Sequence, residues 1–279
     1  MNIRFDDRLK AIQEERNSRL CVGIDPDEDK LPKDYPWTPR GLFRFARNII
    51  DATAEFACIF KFNKGFFAAC GAEDALELLV DYVEDKHGLP SIGDGKNNDI
   101  ANSAKMYARE MFERYNFRAA TVNAYLGTDS LKPWLAWGPD RAIFCLCHTS
   151  NPGAVAFQEQ ELASGRKVFV DVAAMATGTE TPETARVGLV MGATFPDQIA
   201  ELNGVIPVTT PLLLPGIGKQ EGELLATIRN CGQHLFVVNS SRGVIHVSQE
   251  MDYAAKAAAA ARKQRDQINE ALDQLAAAA

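Results

Sequence analysis

The sequence predicts an α/β fold, a (β/α)8 TIM barrel, on three observations. Short apolar runs recur eight times along the 279 residues, and most are separated by segments whose apolar residues return at helical spacing. The runs are continuous rather than alternating, which marks strands of a parallel sheet covered by helices. An open, doubly wound sheet would share the pattern, but no G-x-G-x-x-G follows the first run. Eight strands in this length fit a closed barrel, and we read residues 1–279 as one barrel domain with a C-terminal helix.

Each element has its own signal. The first run is Leu20 to Ile24, stopped by Asp25. Phe43, Phe45, Ala46, Ile49 and Ile50 then recur as a helix face before the second run, Cys58 to Phe62. Ala75, Leu76, Leu78, Leu79 and Tyr82 form the next face, followed by Leu89 to Ile92. Ala104, Tyr107, Ala108, Met111 and Phe112 precede Ala119 to Val122, and Ala142 to Cys147 is the fifth run. The segment from Pro152 to Thr184 exceeds an ordinary connection and is expected to be part helix, part mobile surface loop. Val187 to Met191, Val208 to Leu214 and Leu235 to Val238 complete the set. The Ala-rich end from Ala254 to Ala279 carries Lys256, Arg262, Lys263, Arg265, Asp266 and Glu270, so it reads as a terminal helix and not a membrane anchor.

Composition narrows the function. A chain 46% hydrophobic and 24% charged has an ordinary globular make-up. A net charge of -7 argues against a nucleic-acid partner. No apolar stretch is long enough to span a bilayer, and Met1 to Arg8 lack the apolar core of a signal peptide, so no membrane partner is expected. The six cysteines, at 21, 58, 70, 145, 147 and 231, share no repeated spacing, so the expectation is a reduced, cytoplasmic protein without disulfides or a zinc ribbon. Cys145-Leu146-Cys147-His148 has no second ligand cluster to complete a metal site and is read as a core strand with two small apolar thiols. Trp134 and Trp137 are read as packing residues.

The chemistry gathers at the C-terminal ends of the predicted strands, where barrels carry their sites. Those ends hold Asp25; Lys61 with Asn63; Asp94 and Lys96; Asn123; Thr149, Ser150 and Asn151; Gly192, Ala193 and Thr194; Pro215, Gly216, Ile217 and Gly218; and Asn239, Ser240, Ser241, Arg242 and Gly243. Asp25 and Lys61 interrupt apolar context, and a charge there must be paired or functional. With Asp94, Lys96 and Asp99 they form an array of alternating sign. A Lys set between carboxylates keeps its proton, so Lys96 suits proton donation better than Schiff-base chemistry. Gly216 and Gly218 let backbone N–H groups approach a ligand, Arg242 beside Gly243 adds a fixed cation, and the last two strand ends are the usual phosphate site of a barrel. A phosphorylated small molecule is the expected ligand.

These residues resemble the orotidine 5′-phosphate decarboxylase family, and its longer bacterial-type branch in particular. The motif D-x-K-x-x-D-I appears as Asp94, Lys96, Asp99 and Ile100. Thr149 to Gly153, Gly192 to Thr194, Pro215 to Gly218 and Asn239-x-Ser241-Arg242-Gly243 match further signatures of that branch, in order and at strand ends. The chain departs from the branch at Asn97-Asn98, where Arg-Gly is common, at Gly95, where Ala is more frequent, and at Gly218-Lys219-Gln220-Glu221-Gly222, where Gly-Ala-Gln-Gly-Gly is usual.

The resemblance implies a substrate, orotidine 5′-monophosphate, and a role for each residue. Asp25 and Lys61 would bind ribose hydroxyls, and Asp94 would sit beside the orotate carboxylate. Lys96 would protonate C6. Asp99 would complete the neighbouring site of a homodimer, with Ser103 on the same edge. Ser150 would contact the pyrimidine, Gln220 would bridge the phosphate loop to the base, and Arg242 would hold the phosphate. No cofactor motif is visible, and none is expected. Two alternatives stand beside this reading: a magnesium-dependent sugar-phosphate decarboxylase or aldolase of the same barrel superfamily, and a non-catalytic nucleotide-binding barrel. The first is disfavoured by Lys61 and by the lack of a further acidic residue near Asp94, the second by the intact charge array.

Overall fold

Eight parallel strands close on themselves, each paired with the next in sequence and the last with the first. They are β1 (Leu20–Ile24), β2 (Ile59–Asn63), β3 (Ser91–Asn97), β4 (Ala119–Val122), β5 (Ala142–His148), β6 (Arg186–Met191), β7 (Leu212–Pro215) and β8 (Phe236–Ser240). The computed structural model describes residues 3–33, 35–216 and 221–278. Leu20, Cys21 and Val22 of β1 pair with Val238, Asn239 and Ser240 of β8, which seals the cylinder. Away from their C-terminal ends the strand residues are nearly all buried, because one face fills the barrel and the other lies beneath helices.

The helices are α1 (Phe5–Arg16), α2 (Pro39–Thr53), α3 (Lys64–Ala69), α4 (Glu73–His87), α5 (Ala101–Arg109), α6 (Lys132–Leu135), α7 (Ala154–Gln158), α8 (Val168–Thr177), α9 (Pro196–Ala200), α10 (Glu221–Cys231), α11 (Arg242–Ile245) and α12 (Tyr253–Ala278). Their ends follow local chemistry. Thr38 caps α2 by accepting from the Gly41 N–H at 3.1 Å, with Pro39 at the first helical position. α4 opens on Glu73 and Asp74, carries Lys86 and His87 in its last turn, and stops at Gly88 in the left-handed conformation. α5 runs on into a π turn over Glu110–Arg114. Between barrel and helices, Phe62 meets Phe67 and Phe117 at 6.1 Å, and Trp134 packs edge-on against Phe112 at 5.8 Å, the packing role expected of it. Cys145 and Cys147 are buried in β5, and burial pushes the Cys145 thiol up to about 12.

Several boundaries differ from the sequence reading. β3 runs on to Asn97, so the charged motif lies on the strand itself and not behind it. Backbone pairing of Asn63 with Asp94 and of Asn97 with Val122 carries it there despite the polar side chains. β7 begins only at Leu212: Pro207 and Pro211 bracket a turn closed by the Thr210 N–H on the Pro207 carbonyl at 2.9 Å, and Val208 is exposed. α1 was not anticipated. Phe5, Leu9 and Ile12 recur at helical spacing and are buried, within an otherwise charged segment. The long segment after β5 contains α7 and α8, joined by a turn in which Glu161 bridges Lys167.

Candidate active site

Asp94 is the centre of the C-terminal mouth. Its Oδ2 accepts from Lys61 Nζ at 2.7 Å, and its Oδ1 accepts from Lys96 Nζ at 2.6 Å and from the Thr121 hydroxyl at 2.9 Å. Lys61 also reaches Asp25 Oδ1 at 3.3 Å. The signs alternate from Asp25 through Lys61 and Asp94 to Lys96, so every charge has an opposite neighbour, the condition for keeping such groups out of water. Burial by itself would push the Asp94 carboxyl up, but the Lys61 and Lys96 ammonium groups outweigh it and hold it well below the usual carboxylate range. Burial would likewise push the Lys61 ammonium down, and Asp94 and Asp25 instead keep it above its ordinary value. The Lys61 and Asp94 side chains are 5% and 8% exposed, whereas that of Lys96 is 48% exposed. Lys96 is thus the member of the array that meets the open mouth.

Strand β3 is shaped to produce this. Its register against β4 shifts between Gly93 and Asn97, a bulge that re-aims side chains at a strand end. Within the bulge Lys96 takes a left-handed backbone, φ 50°, uncommon for a residue with a side chain. A Cβ on Gly93 would lie 2.6 Å from the Phe117 ring and 2.8 Å from Met111 Sδ, so only glycine lets the strand sit this close to its helix layer. A Cβ on Gly95 would collide with Asn97 Oδ1 and press on Met111 Cε.

The array borders a cavity of about 470 Å³. Asp25, Lys61, Asn63, Asp94, Lys96 and Thr121 line it from β1 to β4, and Thr149, Ser150, Asn151, Gln158, Pro215 and Asn239 from the other half of the barrel. Leu146, Val190 and Leu213 supply apolar lining. Polar groups converging on a partly apolar hollow at this end of a barrel describe a small-molecule site. A larger cleft of about 630 Å³ runs along α12 between Phe56 and Glu270, but it is an open groove of helix-surface side chains with none of the buried charges. Among the described residues no group of three or more His, Cys, Asp or Glu is placed to hold a metal ion.

Of the residues expected from the sequence, Asp25, Lys61, Asp94, Lys96, Thr149, Ser150 and Pro215 meet around this cavity. Gly216 adjoins it with φ 86°, and a Cβ there would come within 3.1 Å of Ser150 Cβ, so glycine brings the end of β7 against Ser150. Asn123 follows the end of β4 but is not among the residues lining the cavity, and its Oδ1 accepts from the Tyr125 N–H at 2.9 Å. Arg242 is exposed at the start of α11 and forms no ion pair among the described residues. Gly243 faces α12: its carbonyl accepts from Gln264 Nε2 at 3.2 Å. Gly218 and Gln220 lie outside the described residues.

Asp99 corrects one expectation. Within one chain it does not join the charge array. Its Oδ1 accepts from the Ile100 N–H at 2.7 Å, and among the described residues it makes no ion pair with Lys96. The strand has ended at Asn97, so the chain has turned towards α5 before Asp99 is reached. Ser103 is exposed on the first turn of α5. Sequence reasoning also missed two cavity residues. Thr121 sits in an apolar run where threonine is an ordinary strand residue. Gln158 lies in the long segment after β5, where its amide accepts from the Thr149 N–H at 2.8 Å and donates to the Thr149 hydroxyl at 3.0 Å. Beside it, Glu159 pairs with the fully buried His148 at 2.9 Å and accepts from Gln198 at 3.0 Å, which fastens α7 over the end of β5.

Comparisons with known proteins bear on the family and the fold. Residues 18–260 match the model of the family described as orotidine 5′-phosphate decarboxylase / HUMPS. The orotidine 5′-phosphate decarboxylase of Cupriavidus necator is 42% identical over 269 residues, 95% of this chain and 97% of that protein. That of Bordetella pertussis is 41% identical over 269 residues, 95% of this chain and 98% of its own length. The solved structure of Leishmania donovani OMP decarboxylase superposes with a TM-score of 0.78 at 31% identity, covering 96% of this chain and 98% of that one.

Proposed function

Because the chain belongs to the orotidine 5′-phosphate decarboxylase / HUMPS family, we propose that its barrel mouth converts orotidine 5′-monophosphate to UMP and carbon dioxide without a cofactor, the closing step of pyrimidine synthesis de novo. The observation that carries this reading is the buried Asp94 carboxylate held between Lys61 and the half-exposed Lys96.

The bond from C6 to the carboxylate breaks, carbon dioxide departs, and the electron pair stays on C6. No carbonyl is positioned to delocalise it. The Lys96 ammonium opposite that charge stabilises it most when it is fullest, in the transition state, and does so without reorganising. Lys96 Nζ then passes a proton to C6, and the resulting neutral amine regains one from water. Asp94, kept ionised by two cations, faces the substrate carboxylate, so their repulsion is relieved as carbon dioxide leaves. Asp25 and Lys61 hold the ribose hydroxyls, and Ser150, with Thr149 beside it, meets the pyrimidine. The phosphate is assigned to Gly216 and Arg242, together with Gly218 and Gln220, which lie outside the described residues. Binding energy gathered at that remote group supports the chemistry at C6.

The active form is a cytoplasmic homodimer in which Asp99 of each chain serves the other's site. Two features support it. Asp99 does not reach its own Lys96, and the edge carrying Asp99 and Ser103 also exposes Ile100, Met106 and Tyr107, which are 51%, 57% and 38% accessible. Apolar side chains clustered beside a catalytic charge mark a surface made to be covered. No helix among the described residues is long and apolar enough to cross a membrane.

The test follows the loss of orotidine monophosphate absorbance in EDTA, with Lys96→Ala in parallel. Turnover should persist in EDTA, and Lys96→Ala should abolish it while still binding UMP by calorimetry. Turnover that EDTA stops would point to a magnesium-dependent relative. UMP binding by the wild type without any turnover would mean a non-catalytic nucleotide-binding barrel.

A further inference from the structure

We propose that Thr121 is a positioning residue for the decarboxylation, a single hydroxyl that sets both the Asp94 carboxylate and the backbone of Lys96. The inference rests on the activity given above. Thr121 lies in β4, across from the bulge of β3, and is 1% exposed although it borders the cavity. Its Oγ1 accepts from the Lys96 N–H at 2.9 Å and donates to Asp94 Oδ1 at 2.9 Å.

The direction of both bonds is forced. A backbone N–H only donates, so the hydroxyl must accept there. An ionised carboxylate only accepts, so the single hydroxyl proton must go to Asp94. Thr121 therefore has no rotational freedom left, and it connects the two groups whose mutual placement the chemistry needs. Both require support. Lys96 holds a left-handed backbone, φ 50°, a strained conformation that persists only where surroundings enforce it. Its N–H points away from the regular ladder, where the register of β3 on β4 is broken, and an unpartnered N–H in that place would be unfavourable. Asp94 Oδ1 also receives Lys96 Nζ at 2.6 Å, so the hydroxyl fixes the carboxylate plane on which the ammonium rests. Of the other charged groups of the array, Lys61 reaches Asp94 at Oδ2 and Asp25 meets only Lys61, which leaves Oδ1 to Thr121 and Lys96.

Thr121→Val keeps the shape and removes the hydroxyl, whereas Thr121→Ser keeps the hydroxyl and removes the methyl. For Thr121→Val we expect kcat to fall about 10–100-fold, the scale of one hydrogen bond to a charged group. UMP affinity should stay within about threefold, since the acceptor and donor capacity of the Thr121 hydroxyl is taken up by Lys96 and Asp94. The acid limb of kcat/KM should move to higher pH, because Asp94 loses a donor to its ionised form. Thr121→Ser should recover most of kcat. A crystal structure of Thr121→Val should show Asp94 rotated or Lys96 out of the left-handed region, a readout that needs no activity and still decides the proposal if the wild type fails to turn over orotidine monophosphate. Wild-type kcat in Thr121→Val, equal losses in Val and Ser variants, or an unmoved Asp94 and Lys96 would overturn it. Should Thr121→Val not fold, Thr121→Cys replaces it. Its thiol is a weak donor and acceptor, so kcat should again fall, and undiminished kcat would refute the role.

Discussion

Asp94 receives three side-chain donors on two oxygens, and its partner Lys61 is almost wholly buried. Asp94→Asn removes the charge while the Lys61 ammonium stays in place with only Asp25 at 3.3 Å. Breaking a buried pair from one side typically costs roughly 3–5 kcal/mol, and the remaining Asp25 sets the expectation at the low end, about 3 kcal/mol. The pH dependence has a definite sign. Asp94 titrates below its ordinary range in the folded chain, so its contribution is fully present above the unfolded value of about 3.9 and is lost as pH falls through the folded value. Urea unfolding of wild type and Asp94→Asn should therefore differ by a constant amount near neutrality and converge below about pH 4. A gap that widens with acid would contradict the assignment. Asp25, Lys61 and Asp94 were legible because a charge inside or just behind an apolar run must have a partner. Thr121 was not, since nothing in a single sequence separates a threonine that bonds a carboxylate from one that merely suits a strand.

The third strand shows where element boundaries escape a sequence. Polarity ends it at Ile92, yet pairing continues to Asp94 on the β2 side and to Asn97 on the β4 side. The ladder is made of backbone groups, to which side-chain polarity is blind, and a bulge absorbs the charged residues. Gly95 is bound up with that bulge through Asn97, whose Oδ1 fills the place of a Cβ. Gly95→Ala should lower the melting temperature by an amount equivalent to about 1–3 kcal/mol of overpacking. Adding Asn97→Gly removes the obstructing amide and should recover part of the loss. An undiminished melting temperature in Gly95→Ala would show that Met111 and Asn97 yield freely. The two departures from the family motif, at 95 and 97, thus form one steric unit. The sequence reading omits α1 and gives no bounds to the helix expected after β5 for another reason: each is anchored by contacts with residues far along the chain, Gln13 with Phe236 and Glu159 with Gln198, which no local window contains.

At the scale of the molecule, the barrel was legible because its signal is repeated eight times and each repeat supports the others. The site was legible in outline because a barrel fixes where strand ends converge. The proposed division of labour between two chains does not follow from spacing, since Asp99 stands only three positions from Lys96 in sequence, and the family resemblance alone implies it. Mixed dimers test it. When a Lys96→Ala chain is paired with an Asp99→Ala chain, shared sites leave about one competent centre per dimer, because the chain that keeps Lys96 borrows Asp99 from its neighbour. Activity should reappear on mixing two nearly inactive proteins. Its absence, with mixed dimers shown to form, would place Asp99 in the service of its own chain.

α1 also bears on how the chain folds. It lies across the N-terminal rim of the barrel, where the Phe5 N–H donates to Pro139, Arg4 to Pro182, Arg16 to His87 and Gln13 to Phe236, carbonyls that lie before or at the starts of β5, β6, β3 and β8. The bond from Gln13 to Phe236 spans 223 residues. A ribosome releases α1 long before Phe236, so this helix must wait, unable to dock fully, until the last strand is made. Contacts of such sequence separation are slow to form. The underside of the barrel is therefore closed late by a piece made well before its partner, and an α1 shortened from its N-terminus should leave a barrel whose floor opens first when the protein is heated.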